Sequence, residues 1–243
     1  EVRAQLSRLE RLNAAAGAWY QRMLTEGAAG AHARAYLDSR GIQLNTSEQF
    51  KIGFAPPEWD GLTKAMLKEG FAAADLVTAG LSIPRDHGGS PKAGTSGHYD
   101  RFRSRVMFPI VDLRKRIVAF GGRILGEGTP KYLNSPETPL FKKGQTLFAL
   151  EAARDAAGQQ HTLIIVEGYF DAVALHQAGI RHVAATLGTA LTPEHIAVIR
   201  RFASNVVLLF DPDQAGVRAA LRTLDLFVNS GLSVKVVSLP EGE

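Results

Sequence analysis

The chain has 243 residues, a net charge of +4 and no cysteine. Its length accommodates one large domain or two smaller ones, each with its own hydrophobic core. The lack of cysteine excludes disulfides, thiolate zinc sites and cysteine nucleophiles. Because no apolar run is long enough to span a bilayer and nothing resembles a signal peptide, we expect a cytoplasmic protein without membrane contact.

Charge is unevenly distributed along the chain. Residues 98–143 contain ten basic and four acidic side chains, whereas residues 144–243 contain seven basic and ten acidic ones. A basic surface attracts a polyanion and an acidic cluster collects divalent cations, a combination that favours a nucleic-acid enzyme. Taken alone, the basic block is equally compatible with an ordinary solvated surface.

Residues 1–150 are predicted to form a basic subdomain of mixed α and β structure. Residues 4–24 have the spacing of an amphipathic helix, whose apolar face carries Leu9, Leu12, Ala16, Trp19 and Met23. A short helix at 31–40 is expected to end at Gly41, and small helices are expected within 60–80. Residues 84–97, rich in glycine and serine, predict a mobile loop.

The hydrophobic pattern changes after Phe102. Residues 105–111 and 117–120 predict two strands joined by a polar turn at 112–116. A long irregular loop is expected at 126–144, and such loops on compact domains are more often functional than not.

Residues 151–243 are predicted to form a second domain, a parallel sheet flanked by helices. Strands are expected at 162–166, 182–187, 205–210 and 233–238, and helices at 170–178, 193–203 and 215–229. Thr192 followed by Pro193 is typical of a helix start, and Gly179 and Gly231 fall just past helix ends. Strand–helix alternation at this spacing predicts right-handed βαβ crossovers.

Two apolar runs in this second domain end at carboxylates. Glu167 follows one run, with Asp171 in the first turn of the next helix, and Asp211 and Asp213 follow another run. In an open α/β sheet, ligands bind beyond the carboxyl ends of the strands. If the two strands are neighbours, the four carboxylates converge. Oxygen ligands without nearby His or Cys suit Mg²⁺ or Mn²⁺, which favours phosphoryl-transfer chemistry.

Each acidic residue also has a structural explanation. Asp171 alone is typical of an acid favoured by the dipole at a helix N-terminus. Asp211 and Asp213 alone suit a turn and a helix cap. Glu167 is harder to explain in this way, because an acid that ends an apolar strand needs a partner. Together, at equivalent strand ends, the four residues favour a metal site.

These residues resemble a known family. The TOPRIM domain shared by primases and topoisomerases is similar to Glu167-Gly168-Tyr169-Phe170-Asp171 followed by Asp211-x-Asp213-x-Ala215-Gly216. Three upstream segments resemble the catalytic core of bacterial DNA primase, namely Tyr99-Asp100-Arg101-Phe102-Arg103-Ser104-Arg105-Val106-Met107-Phe108-Pro109-Ile110, Phe120-Gly121-Gly122-Arg123 and Thr129-Pro130-Lys131-Tyr132-Leu133-Asn134-Ser135-Pro136-Glu137-Thr138. Two further segments also resemble that family, Phe50-Lys51-Ile52-Gly53-Phe54-Ala55-Pro56 and Leu187-Gly188-Thr189.

The resemblance implies synthesis of short RNA primers on single-stranded DNA from ribonucleoside triphosphates, with Mg²⁺ or Mn²⁺ as cofactor. It implies that Glu167 lies nearest the catalytic centre, binding metal or assisting proton transfer, and that Asp171, Asp211 and Asp213 hold the divalent ions. It also implies a basic ridge that binds nucleotide and template. The ridge residues are Arg123, Lys131, Tyr132 and Asn134, with Arg103 and Arg105 as weaker template contacts. These residue types suit phosphate pairing and base stacking, although 131–134 also read as an ordinary polar loop.

The sequence departs from the family pattern in two ways. Pro212 stands where the family usually has glycine, which restricts the backbone between the two aspartates. The family's later Asp-Pro-Asp motif, helical bundle, N-terminal zinc-binding domain and C-terminal helicase-interacting domain are not found. We therefore expect an excised, monomeric core without zinc, acting at the nucleoid, whose replicative helicase binds through a domain outside this chain.

Two other functions are compatible with the sequence. One is a phosphohydrolase with an aspartyl nucleophile in Asp211-x-Asp213, although that class places the motif on the first strand and follows it with Thr or Val, not with Gln214-Ala215. The other is a nucleotide- or single-stranded DNA-binding fragment that has lost turnover through truncation.

Overall fold

The computed structural model describes residues 2–26, 28–85, 97–210, 224–228 and 230–237. It divides into two compact units, one of Glu1–Ile110 with Arg116–Phe141 and the other of Val111–Lys115 with Lys142–Glu243. Within the described ranges, no helix has the length and apolar character needed to cross a membrane. The expected α/β class is confirmed.

Among its described residues, the first unit has five α-helices: α1 (Val2–Thr25), α2 (Ala31–Ser39), α3 (Leu44–Gln49), α4 (Gly61–Lys68) and α5 (Ala73–Thr78). The apolar side chains that α1 buries are Leu9, Leu12, Ala16, Tyr20 and Leu24. Trp19 and Met23, which were expected near the same face, are partly buried. Tyr20 and Leu24, which were not named from the sequence, are buried with the others.

The described part of this unit also contains six strands: β1 (Gly53–Ala55), β2 (Ser82–Pro84), β3 (His98–Asp100), β4 (Arg105–Val111), β5 (Ile117–Ile124) and β6 (Tyr132–Asn134). One sheet has the order β1-β4-β5-β6, and β2 and β3 form a separate antiparallel pair. Helix α1 packs on β1 so closely that a Cβ on Gly53 would lie 2.6 Å from Cβ of Tyr20. Strand β6 lies inside the segment 126–144, which was expected to be irregular. Its residues form a strand because all three pair with β5.

The second unit alternates helix and strand: α6 (Leu150–Gln160), β7 (Thr162–Val166), α7 (Tyr169–Gln177), β8 (Val183–Ala185), α8 (Pro193–Ile199), β9 (Asn205–Leu209) and β10 (Ser233–Val237). All neighbours in the sheet order β10-β9-β7-β8 pair in parallel, as predicted. Helix α6 was not predicted, and α8 ends four residues earlier than expected. The helix expected at 215–229 and the loop expected at 84–97 lie largely outside the described residues.

The core of the second unit fixes the position of its two central strands. Leu163 and Ile165 of β7 and Val206 and Leu208 of β9 are fully buried, together with apolar side chains of α6 and α8. Each such burial contributes about 1.5–3 kcal/mol relative to exposure. This shared core fixes the two strands side by side at the centre of the sheet.

Candidate metal centre and nucleic-acid interface

Glu167 is positioned by the carboxyl end of β7. This strand pairs in parallel with β8 on one side and with β9 on the other, in a register that aligns Ile165 with Leu208. The two strands are therefore neighbours, which is the condition that the sequence analysis set for the carboxylates to converge. Residues that follow the two strands leave the sheet at the same edge, which is the ligand-binding edge of such sheets. Glu167 is partly buried there.

Asp171 lies in the first turn of α7, and its side chain is exposed. Its Oδ2 accepts a hydrogen bond from the backbone N–H of Gly168 at 3.0 Å. A Cβ at position 168 would lie 2.6 Å from the same oxygen, so glycine permits this contact. The bond stabilises the start of α7 and is sufficient to explain an acid here. A metal-binding role for Asp171 therefore stays a prediction.

Asp211 and Asp213 lie outside the described residues, which end at Phe210 after β9 and resume at residue 224. Across the described part of the chain, no group of three or more His, Cys, Asp or Glu side chains could hold a metal ion. The structure therefore describes the half of the predicted centre that follows β7. That half offers only oxygen donors, the type that Mg²⁺ and Mn²⁺ prefer.

Arg123 is held by two tyrosines at the end of β5. Its Nε donates to the hydroxyl of Tyr36 at 3.1 Å, and its guanidinium lies 5.1 Å from the ring centroid of Tyr132, its cross-strand partner on β6. Its Nη1 is buried and has no hydrogen-bond partner among the residues that the structure describes. A cationic donor of this kind is suited to an anionic ligand such as a phosphate.

Tyr36 and Arg40 extend this cluster and were not predicted from the sequence. The guanidinium of Arg40 lies 5.5 Å from the ring centroid of Tyr36. Burial raises the pKa of Tyr36, but hydrogen bonds and positive charge from Arg123 and Arg40 outweigh it, so the pKa is lowered overall. Their spacing of four residues along one helical face was the available signal.

The other three members of the predicted ridge lie at the edge strand β6 or just before it. Lys131 is exposed, and Tyr132 is 40% exposed. Asn134 is partly buried and pairs with Gly121 of β5. The pairing therefore brings Arg123, Lys131 and Tyr132 to one end of the β5–β6 ladder.

Arg103 belongs to an aromatic cluster. Its guanidinium lies 4.4 Å from the ring centroid of Trp59 and 5.2 Å from that of Tyr99. The Trp59 ring is 60% exposed and also has Arg85 at 5.9 Å. Exposed aromatic rings beside guanidinium groups are typical of surfaces that bind single-stranded nucleic acid. Trp59 was missed because a single tryptophan after two prolines has no recognisable spacing.

Arg105 has a different environment from Arg103. It is 5% exposed, and its guanidinium donates to the carbonyls of Pro130 at 2.9 Å, Gly122 at 3.1 Å and Lys131 at 3.5 Å. Burial lowers the pKa of Arg105, with a further contribution from neighbouring positive charges. These contacts tie β4 to the segment that carries Lys131, and they leave little of Arg105 for direct template contact.

The comparisons with known proteins agree with the predicted family. Residues 19–154 match the DNA primase catalytic core, N-terminal domain, and residues 161–238 match the Toprim domain. A DNA primase of Synechococcus elongatus is 44% identical over 254 residues, which cover 100% of this chain and 35% of that protein. The chain therefore spans about a third of the length of such relatives.

Solved structures give the same result. A DNA primase domain from Pseudomonas aeruginosa is 44% identical with a TM-score of 0.86, covering 97% of this chain and 72% of that one. A DnaG primase catalytic domain bound to single-stranded DNA is 39% identical with a TM-score of 0.86, covering 99% and 73%. The chain belongs to the DNA primase catalytic-core family and contains that family's Toprim domain.

Proposed function

We propose that this chain is the catalytic core of a DNA primase that synthesises short RNA primers on single-stranded DNA from ribonucleoside triphosphates. The joint match of residues 19–154 and 161–238 to the two parts of the primase core carries this proposal. A related primase domain has been solved with single-stranded DNA, which supports such a template here. A phosphohydrolase is not favoured, because it would leave the match of residues 19–154 unexplained.

We assign template and nucleotide binding to residues 1–150 and metal binding and catalysis to residues 151–243. Arg123 and Lys131 would pair with phosphates, Asn134 would donate amide hydrogen bonds, and Tyr132 would stack on a base. Arg103, with the exposed ring of Trp59, would contact the template strand. The buried Arg105 would act indirectly, by holding the residues before β6.

Glu167 and Asp171 fit a divalent cation, because both are hard oxygen donors that follow the carboxyl end of the parallel strand β7. Glu167 and Asp171 would hold Mg²⁺ or Mn²⁺ together with Asp211 and Asp213, and no zinc is expected. When bound, such ions stabilise negative charge on the transferring phosphoryl group. The side chains of this chain would otherwise act by positioning, so no nucleophilic side chain is required.

The larger setting is also a proposal. We propose that the core acts as a monomer in the cytoplasm, at the nucleoid. The replicative helicase would bind through a further domain of the longer protein, since relatives are about three times the length of this chain.

Primer synthesis on single-stranded DNA tests the proposal. Labelled ribonucleotides and Mg²⁺ or Mn²⁺ would be supplied to the chain, to Glu167→Gln and to Glu194→Gln, whose exposed acid on α8 serves as the matched control. We expect metal-dependent RNA product from the chain and the control, and a loss of about a hundredfold or more in Glu167→Gln.

A lack of product has two distinguishable meanings. Nucleotide binding that needs metal, Asp211 and Asp213 would identify a binding core whose turnover requires the rest of the longer protein. The absence of any metal-dependent signal would contradict the assignment of the carboxylates.

A further inference from the structure

A cavity of about 460 Å³ in the second unit has no role in the proposed function. It is lined by residues 111–114 at the end of β4 and in the turn after it, by the residues before and within α6, and by the end of α8 with residues 201–202 just beyond it. The apolar part of the lining includes the buried Leu147 and Leu150 and the partly buried Leu113, Val198 and Phe202. Its volume lies within the range of about 300–1,000 Å³ that is usual for ligand pockets.

Three guanidinium groups from three different elements line the same cavity: Arg114, Arg154 and Arg201. Arg154 is fixed, because its Nη1 donates to the carbonyl of Leu113 at 3.0 Å. Arg201 lies 5.4 Å from the ring centroid of Phe202. Arg114 and Arg201 are exposed, and neither forms an ion pair with an acid in the described part of the chain. The cavity therefore presents unpaired cations beside an apolar lining.

Two acids in the lining already have partners. Asp112 accepts a hydrogen bond at Oδ1 from the backbone N–H of Arg114 at 2.9 Å, and a Glu151 oxygen lies 3.7 Å from Nζ of Lys115. Both carboxylates would nevertheless repel any anion placed against them, so a ligand must keep its own charges at the two exposed arginines, which a continuous phosphate backbone laid across the cavity does not do. The leucines of the lining also match an apolar side chain better than they match a phosphate. Discrete carboxylates flanking an apolar side chain match this lining better.

We propose that the cavity is a docking site for a partner protein that presents a short acidic segment with a bulky apolar side chain. The apolar side chain packs among Leu147, Leu150 and Phe202, where burial supplies most of the affinity. The flanking carboxylates bind Arg114 and Arg201, whose planar guanidinium groups suit bidentate pairing. Charge complementarity of this kind also speeds association and selects against basic partners.

Peptide binding measured by fluorescence anisotropy tests this proposal. The probe is a fluorescein-labelled Asp-Glu-Asp-Phe-Leu-Asp-Glu peptide, and the control peptide has Ser in place of Phe and Leu. We expect saturable binding of the probe and loss of binding for the control. Arg114→Glu and Arg201→Glu should each weaken binding about tenfold or more. Arg200→Glu is the matched control, because Arg200 is exposed and adjacent but does not line the cavity.

Several results would overturn the proposal. They are a lack of saturable binding, equal binding of the serine peptide, and equal weakening by Arg200→Glu and Arg201→Glu. Oligo-dT titrations would be run in parallel on variants shown by circular dichroism to be folded. If the cavity variants lose oligo-dT affinity but keep peptide affinity, the surface contacts nucleic acid and the docking proposal is wrong.

Discussion

Replacing Arg105 by Met separates structural support from template contact within the basic ridge. Met keeps much of the apolar length of the side chain but removes every N–H donor. The carbonyls of Pro130 and Gly122 then lose the guanidinium that lies 2.9 and 3.1 Å away. Since Arg105 is 5% exposed, water cannot readily take its place without rearrangement.

The expected cost follows from these contacts. Hydrogen bonds from a charged donor contribute about 1.5–3 kcal/mol each, and the contact with Lys131 at 3.5 Å lies beyond the usual range and adds little. Removing a buried charge also removes its desolvation penalty, which offsets part of the loss. We therefore expect the free energy of unfolding of the first unit to fall by about 2–4 kcal/mol.

Urea unfolding followed by tryptophan fluorescence measures this change in the correct unit, because both tryptophans, Trp19 and Trp59, belong to it. Arg103→Met is the matched control. Its stacking on Trp59 is worth about 1 kcal/mol, so stability should change less than in Arg105→Met. Its affinity for oligo-dT should instead fall about tenfold, whereas folded Arg105→Met should bind nearly as well as the unsubstituted chain.

The opposite pattern would refute the reasoning. Suppose that Arg105→Met unfolds at the same urea concentration as the unsubstituted chain, but binds oligo-dT more weakly and with an affinity that depends less on salt. Arg105 then contacts the template directly.

Three further predictions concern stability. Gly122→Ala should lower the free energy of unfolding by about 1–3 kcal/mol, because its Cβ would lie 2.9 Å from Cδ of Arg105; the same fluorescence experiment measures it. Asp100→Asn should lower the free energy of unfolding by about 1–3 kcal/mol in that experiment. The carboxylate accepts three hydrogen bonds from the first turn of α4, and the NH₂ group of an amide would face one of these donors instead of accepting from it. Burial lowers the pKa of His195 and of His176, so below the unfolded value of 6.5 the unfolded chain binds protons that the folded chain does not. Stability of the second unit should therefore fall between about pH 7.5 and 5.5, with a smaller fall in His195→Gln, as measured by urea unfolding and circular dichroism.

The two units differ in how much of their structure the sequence predicts. Strands β7 and β9 each have four consecutive apolar residues after a polar first residue, and both were placed within one residue. Strands β1, β2, β3 and β6 have three residues each, too few to show a period of two. Strand β1 also pairs with β4, about fifty residues further along the chain, and nothing local predicts that pairing.

The residues of the candidate site likewise divide into those with a local sequence signal and those placed by distant contacts. Glu167 was predicted correctly to follow a buried parallel strand, because that placement depends on a local apolar run and on the general topology of parallel sheets. Tyr36, by contrast, contributes through a hydrogen bond to Arg123, a residue 87 positions away. A contact of that kind depends on tertiary packing, for which single-sequence patterns contain no signal.

Arg103 and Arg105 show why residue type and spacing do not determine role. A separation of two along a strand predicts that both side chains share one face and therefore one function. Strand β4 starts only at Arg105, and Ser104 has φ of +51°, a left-handed conformation that interrupts the alternation. Because of that interruption, Arg103 reaches the exposed ring of Trp59 while Arg105 is buried against backbone carbonyls. Serine in this conformation has no sequence signature, so only the structure could divide two arginines of the same motif into one that presents charge and one that supports the loop.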